Sequence, residues 1–480
     1  MAAQLLISSI NPGGSRWTET PIFWFGILIQ ISFLIFLFTI SQPVVLIGVI
    51  LTLLFGFIII IEPRSIFLAI TFVTFTVNSN TIGKDYVLRI LGVNWYAMDW
   101  ILFFGLLTWL IRYSLGIHTS FKKTFLTIPL LVFFFMLSIS VIIGLRQGNV
   151  YQDIFADLRL YFYYCSFFIV LLFARNSEDV EFIFWATIIC GIIGAIPEII
   201  TALSDSQIDA LTGKRLFFTR IKGAHEVNYP IQLVASIVLY PFVRSSGKRL
   251  VLIFSIAISA MALFLSYTRG SWLAAFAALG LIAILFARHA HLIKGNVLKL
   301  IGGIIAVFVI IFFLDVFGKF TFENIIARIT LVSFERIDIS SLQRVTEWYS
   351  AWKDFISHPF LGRGLGFIYR YYVPGVGEVQ QIYLHNSYLY VLSKMGVLGL
   401  ISFLSIFILT LGVVNKTLKK LSDRSEIGLL LAFASMIIVL LIKAFTTWHL
   451  NTLTTSLYIG VILGVITVIH TSVQSNTHRS

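Results

Sequence analysis

Residues 384–413 read LHNSYLYVLSKMGVLGLISFLSIFILTLGV. From Ser387 onward a single charged side chain, Lys394, interrupts an otherwise apolar and small-polar run. About 20 such residues are enough to cross the hydrocarbon core of a bilayer as a helix. Asn386 or Ser387, both good N-cap residues, would start that helix. Working outward, the same pattern recurs along the chain. Apolar runs fall at 22–40, 43–61, 64–78, 97–113, 125–144, 157–174, 180–203, 229–244, 249–267, 271–287, 298–317, 426–445 and 452–470. The expectation is an all-α polytopic membrane protein with about 12–14 transmembrane helices.

Composition agrees with that reading. Of the 480 residues, 58% are hydrophobic and 12% charged, and the mean hydropathy is +0.94. A soluble protein carries roughly twice that charged fraction. The first 21 residues lack a charged n-region and a small-residue cleavage site, so no removable signal peptide is expected. The formal net charge of +13 would suggest nucleic acid on a soluble protein. Here cytoplasmic loops account for much of it, leaving room for an anionic ligand such as a phosphate and no call for nucleic acid. Cys165 and Cys190 both lie in apolar runs, so neither a disulfide framework nor a metal site is expected.

Charge also orients the chain. Arg244 to Arg249, the segment holding Arg288, Lys294 and Lys299, and Lys416 to Arg424 are short basic connections. The positive-inside rule assigns them to the cytoplasm. Residues 204–228, the turn at 268–270 and the long loop 318–386 then face outward. Inside that long loop, Val345, Trp348, Trp352 and Phe355 recur at helical spacing after the Ser340-Ser341-Leu342-Gln343 capping box. They predict an amphipathic helix to about Ser357, lying on or near the membrane surface, ended by His358-Pro359. Its aromatic face would touch lipid, the transmembrane core or a glycan.

Four outward features carry candidate chemistry: Arg220 with Lys222, Arg269, Arg344 and His385. A titratable imidazole where a polar loop re-enters the membrane suits proton transfer, or anchors the helix end. Arginine donates two parallel hydrogen bonds to phosphate and stays charged. At the boundary Arg269 is otherwise a snorkelling anchor. Arg159, with Asp153 and Asp157, opens the sixth span, and Asp99, Glu198 and Lys443 lie near outward span ends. No phosphate-cradling P-loop, GxSxG or HExxH occurs, which argues against an ATPase, a serine hydrolase and a zinc protease.

The stretch from about Arg220 to Leu400 resembles the O-antigen ligase and polymerase family of bacterial envelope glycosyltransferases. The ligase-type signature is His, then Asn, Ser or Gln, nine residues, Gly, two residues, then Gly, Thr or Tyr. It reads here as His385, Asn386, Ser387 to Met395, Gly396, Val397-Leu398, Gly399. Arg344 to Trp348 through Gly362, Gly364 and Gly366 looks like the family's long-loop helix and glycine turn. Tyr267-Thr268-Arg269-Gly270 looks like its short arginine turn.

The resemblance implies a GT-C-like enzyme of the bacterial plasma (inner) membrane, its site facing the periplasm. It would take a glycan from an undecaprenyl-diphosphate carrier and pass it to a glycan or lipid acceptor, without metal or other cofactor, inverting the anomeric centre. Lipopolysaccharide and other cell-envelope polysaccharides are the products this implies. His385 would act as base, Arg269, Arg220 and Lys222 would hold the diphosphate, and Arg344, Arg159 and Asn386 would support them. On this reading 1–203 are N-terminal transmembrane helices, 204–400 the ligase-like core with its periplasmic loop 318–386, and 401–480 the C-terminal helices. Two other classes remain: a membrane carrier for a small anion, and a non-catalytic envelope assembly factor. A carrier would be expected to show repeats and broken helices near the bilayer midplane, and no repeat is visible.

Overall fold

The structure is a computed structural model. It describes residues 56, 58–59, 62–76, 88–90, 93–114, 123–204, 207–208, 215–216, 224–266, 268–287, 339–374 and 376–477. The predicted spans 22–40 and 298–317, most of 43–61, and both Arg220 and Lys222 lie outside the described residues.

Among the described residues, seven helices are long and apolar enough to cross a membrane: Thr127–Arg146, Tyr151–Phe173, Ser177–Ala202, Ser246–Leu265, Ser387–Leu418, Arg424–Lys443 and Leu453–Ser475. Ser65–Thr76 and Arg269–Ile284 are shorter apolar helices. The chain is an all-α polytopic membrane protein. With no water in the bilayer core, backbone polar groups must be satisfied within the segment, and helices do this.

The chain divides into two compact units, Met1–Ala69 with Lys84–Thr119, and Ile70–Gly83 with Ser120–Ser480. The described helices in order are α1 (Ser65–Thr76), α2 (Ala97–Ser114), α3 (Thr127–Arg146), α4 (Tyr151–Phe162) and α5 (Ser166–Phe173). They continue as α6 (Ser177–Ser204), α7 (Asn228–Leu239), α8 (Ser246–Leu265), α9 (Arg269–Ala287) and α10 (Ile339–Ser357). The last three are α11 (Ser387–Leu418), α12 (Arg424–Lys443) and α13 (Leu453–Thr477). In the first unit, Asp99 near the start of α2 accepts a hydrogen bond from the Tyr96 N–H at 2.9 Å, an end-of-helix acceptor for an orphan donor.

In the second unit α7 is buried along its whole length and packs against α8 and α12. Its polar side chains find partners inside the bundle: Asn228 Nδ2 donates to Thr74 O at 2.8 Å and Gln232 Nε2 to Ile188 O at 3.0 Å. α13 packs against α5, where a Cβ on Gly460 would stand 2.1 Å from Ser166 Oγ. Small residues let membrane helices approach closely. α3 packs against α11 and leaves Ile128, Leu131, Phe135 and Ile142 exposed. That spacing keeps them on one stripe, a surface suited to acyl chains.

The long loop ends in ordered structure. α10 starts at Ile339, so Ser340 and Ser341 sit inside its first turn. Its exposed side carries Val345, Tyr349, Trp352 and Ile356, while Glu347 and Ala351 face inward. Trp348 and Phe355, grouped with Val345 and Trp352 by spacing, are half-buried. The helix is followed by an unanticipated antiparallel hairpin, Tyr369–Val373 paired with Gly377–Gln381 in the register Tyr369↔Gln381. Tyr369, Tyr371 and Val373 are buried and alternate with exposed residues, the period of a half-buried strand.

Candidate functional site

The motif spacing has a structural counterpart in α11. Asn386 has extended backbone angles, φ −158° and ψ 110°, and its side chain accepts from the Tyr388 and Leu389 N–H groups, each at 3.0 Å. It is the N-cap. Nine residues of helix follow, Ser387 to Met395, and then the helix breaks at Gly396, with φ 69° and ψ −172°. Only glycine adopts that region without strain.

The break would leave backbone donors and acceptors unpaired in a buried place. The glycine turn pairs them. Val397 N–H donates to Pro359 O at 2.8 Å and Leu398 N–H to Phe360 O at 3.4 Å. In return, Arg363 N–H donates to Ser393 O and Gly364 N–H to Lys394 O, both at 2.9 Å. A Cβ on Gly396 would meet Phe360 backbone at 2.2 Å, and one on Gly362 would meet Lys394 backbone at 2.4 Å. The two glycine motifs are thus one interlocked joint.

A buried ion pair fixes the same stub from the other side. Lys394 Nζ donates to Asp157 Oδ2 at 2.6 Å and to Ile382 O at 3.1 Å, with both charged side chains wholly buried. Asp157 also accepts from Gly366 N–H at 2.6 Å and from the Tyr390 hydroxyl. A fully hydrogen-bonded pair of this kind specifies geometry more than it adds stability.

His385 sits immediately before the N-cap. Its backbone N–H donates to Glu347 Oε1 at 2.6 Å, and its Nδ1 lies 2.9 Å from Glu347 Oε2. Glu347 is 0% exposed and the His385 side chain 38% exposed. A carboxylate accepting at Nδ1 favours the tautomer with its proton there, which turns the lone pair of a neutral imidazole to Nε2. Glu347 comes from α10, which packs against α11. The amphipathic helix therefore delivers the carboxylate that orients the imidazole. Spacing on the aromatic residues had pointed elsewhere on that helix. The available signal was Glu347 with Ala351 on the side opposite the exposed stripe.

Arg269 is the first residue of α9 and is half-buried. The turn after α12 touches that helix start. A Cβ on Gly270 would stand 2.4 Å from Thr446 Oγ1. Lys443 Nζ donates to Ser271 Oγ, which itself donates to Glu226 O at 3.0 Å. The same turn holds the start of α11: Ser387 N–H donates to Ala444 O at 2.9 Å and Ser387 Oγ to Thr447 O at 3.0 Å. The starts of α9 and α11 are thereby stitched to one connector, and Arg269 and His385 come to the same end of the bundle.

The remaining candidates are placed differently. Arg344 lies on α10 one turn before Glu347, half-buried. Arg159 lies on α4 with its guanidinium 4.8 Å from the Phe155 ring centroid. Asn386 caps α11 through its Oδ1. Of the weaker candidates, Glu198 accepts from the Tyr229 hydroxyl and Asp153 is half-buried. Among the described residues no group of three or more His, Cys, Asp or Glu side chains is arranged to hold a metal ion.

Sequence reasoning passed over a second histidine. His449 is buried in the connector, its Nδ1 without a hydrogen-bond partner. Burial, the Lys443 ammonium and His385 hold its pKa well below the ordinary 6.5. Beside it, Trp448 stacks on Tyr383, ring centroids 4.4 Å apart.

Residues 254–404 match the family model described as O-antigen ligase. The match runs from within α8 to within α11 and takes in Arg269, Arg344, Glu347, His385, Gly396 and Gly399. No curated protein matches the chain. The family match supports the resemblance drawn from the His385 to Gly399 motif.

Proposed function

We propose that this O-antigen-ligase-like membrane glycosyltransferase transfers or polymerises undecaprenyl-diphosphate-linked glycans on the outer face of the bacterial plasma membrane, with the core of the site in 204–400. The observation that carries the proposal is the Glu347–His385 pair: a buried carboxylate fixing Nδ1 of a half-exposed imidazole. That arrangement prepares Nε2 to accept a proton.

In the scheme, an acceptor hydroxyl gives its proton to His385 Nε2 as its oxygen bonds to the anomeric carbon. The bond from that carbon to the carrier phosphate breaks, and the electron pair leaves on the diphosphate. The anomeric centre inverts, and the imidazolium returns its proton to solvent. Charge grows on the leaving diphosphate, where a guanidinium stabilises it most. Arg269 fills that role, with Arg220 and Lys222 as further cations and Arg344 nearest to the Glu347 side. The scheme runs on side chains alone, without metal.

The test is complementation of a strain lacking this gene, scored by envelope polysaccharide on a gel. Wild type should restore polysaccharide and His385→Ala should not, at equal membrane abundance. Glu347→Gln should lower the rate by on the order of a hundredfold or more, the usual worth of a positioned base. Restoration by His385→Ala would remove the base from the scheme and bring forward the carrier and assembly-factor readings. The size pattern on the gel separates attachment from polymerisation.

A further inference from the structure

The end of α10 and the turn after it expose large apolar side chains: Trp352 at 47%, Ile356 at 61%, Phe360 at 68% and Leu361 at 40%. Single exposed apolar residues are ordinary, but a group of them in one short stretch marks a surface that meets a partner. Helical spacing puts Trp352 and Ile356 across α10 from the buried Glu347, so this face is turned away from the Glu347–His385 pair. Its depth follows from α3. The 20 residues of α3 rise about 30 Å, the thickness of the hydrocarbon core, and end at Arg146. Near that end Gly144 meets the glycine turn, where a Cβ would stand 2.3 Å from Leu365 O. One helical turn lower, Ser140 O accepts from Leu365 N–H at 3.1 Å and Ser140 Oγ donates to Lys394 O at 3.0 Å. Phe360 O accepts from Leu398 N–H at 3.4 Å. The turn holding Phe360 and Leu361 therefore lies at the edge of the hydrocarbon. Both helices it touches carry exposed apolar side chains there, Ile142 and Leu145 on α3, and Leu398 and Ile401 on α11. Arg146, exposed at the end of α3, stands where lipid phosphates begin.

We propose that Trp352, Ile356, Phe360 and Leu361 seat the end of α10 in the lipid leaflet on the His385 side of the membrane. Phe360 and Leu361 lie among the upper acyl carbons. The Trp352 indole lies at headgroup level, where an amphipathic ring is favoured. Lipid is the occupant because the face sits at the hydrocarbon edge and continues the apolar surfaces of α3 and α11. The helix that supplies Glu347 thus has one end fixed in the membrane. This seat does not depend on the transferase reading.

The test uses the full-length protein in nanodiscs of phosphatidylcholine and phosphatidylglycerol. Ile356→Cys and Phe360→Cys are each labelled with an environment-sensitive fluorophore. Glu378→Cys on the hairpin is the reference, and labelled wild type gives the background from Cys165 and Cys190. Ile356 and Phe360 are both exposed, so neither change opens the core. Lipid carrying a nitroxide high on its acyl chain should quench the labels at Ile356→Cys and Phe360→Cys about threefold or more beyond that at Glu378→Cys. Aqueous iodide should give the reverse order. Adding Phe360→Asp, a charge at that depth, should return the Ile356→Cys label to iodide. Iodide quenching equal to that at Glu378→Cys places the face in water and overturns the seat. A label at Ile356→Cys that stays lipid-quenched beside Phe360→Asp is itself seeking lipid, which overturns it equally. Labels that neither quencher reaches, with Phe360→Cys forming a disulfide-linked dimer, overturn it in favour of a second copy of the chain.

Discussion

At the residue scale, the environment of His449 makes it a sensor of acid. It is buried, and Lys443 and His385 further disfavour its protonation. The folded protein therefore holds it neutral, while an unfolded chain takes up a proton below about pH 6.5. Stability from this source is complete above that pH and declines below it. In His449→Gln, the fall in melting temperature between about pH 7 and about pH 5.5 should be smaller than in wild type. Equal falls in the two proteins would place the acid-sensitive group elsewhere. His449 was not legible in the sequence, because a lone histidine in a short connection between two spans carries no signal of what surrounds it. His385 was legible through its neighbours, since Asn386 and the glycines at fixed spacing mark a helix start. Glu347 was half-legible: its helix could be read, but not which face turns inward.

At the element scale, α11 is two helices joined at Gly396. The apolar run gave the span, but the run looks the same with or without a break. What makes the break is tertiary: the 359–364 carbonyls and amides that replace the missing helical bonds come from a separate segment. Gly396→Ala combines a backbone conformation reserved for glycine with a Cβ driven into Phe360. It should destabilise by more than about 2 kcal/mol. Gly412, on the same helix with nothing within 4 Å of its missing Cβ, is the control. Gly412→Ala should be neutral or stabilise by about 0.5–1 kcal/mol. Similar thermal unfolding for both variants would mean the joint is not under glycine control. The Asp157–Lys394 pair shows the same limit of sequence reading. Lys394 stands out as a charge in a span, yet its partner is 237 positions away, beyond any periodicity.

At the scale of the whole molecule, seven helices among the described residues from 64 onward are long and apolar enough to cross, as length and hydrophobicity led one to expect, while the runs at 64–78, 229–244 and 271–287 form shorter helices. The β-hairpin was not readable, since its residues are polar and aromatic with only five residues to each strand. Orientation rests on the positive-inside rule and has a direct check. Glu378 and Ser422 are both exposed and lie beyond opposite ends of α11. On intact cells with a permeable outer layer, a membrane-impermeant maleimide should label Glu378→Cys and spare Ser422→Cys. Cys165 and Cys190 are half-buried and buried, so they contribute little background. The opposite labelling pattern would turn the site toward the cytoplasm.

The joint in α11 also separates two mechanical duties. Beyond Gly396 the helix runs on to Leu418 with Leu398, Ile401 and Ile408 turned outward, so bilayer thickness and tilt act on that length. The nine-residue stub above it is clamped by the glycine turn, by Asp157 and by the 444–447 connector. Any adjustment to lipid thickness falls on the length beyond Gly396, because the joint is hydrogen-bonded on both sides of that glycine. The spacing of imidazole from guanidinium is set by the clamp, independent of the membrane's dimensions.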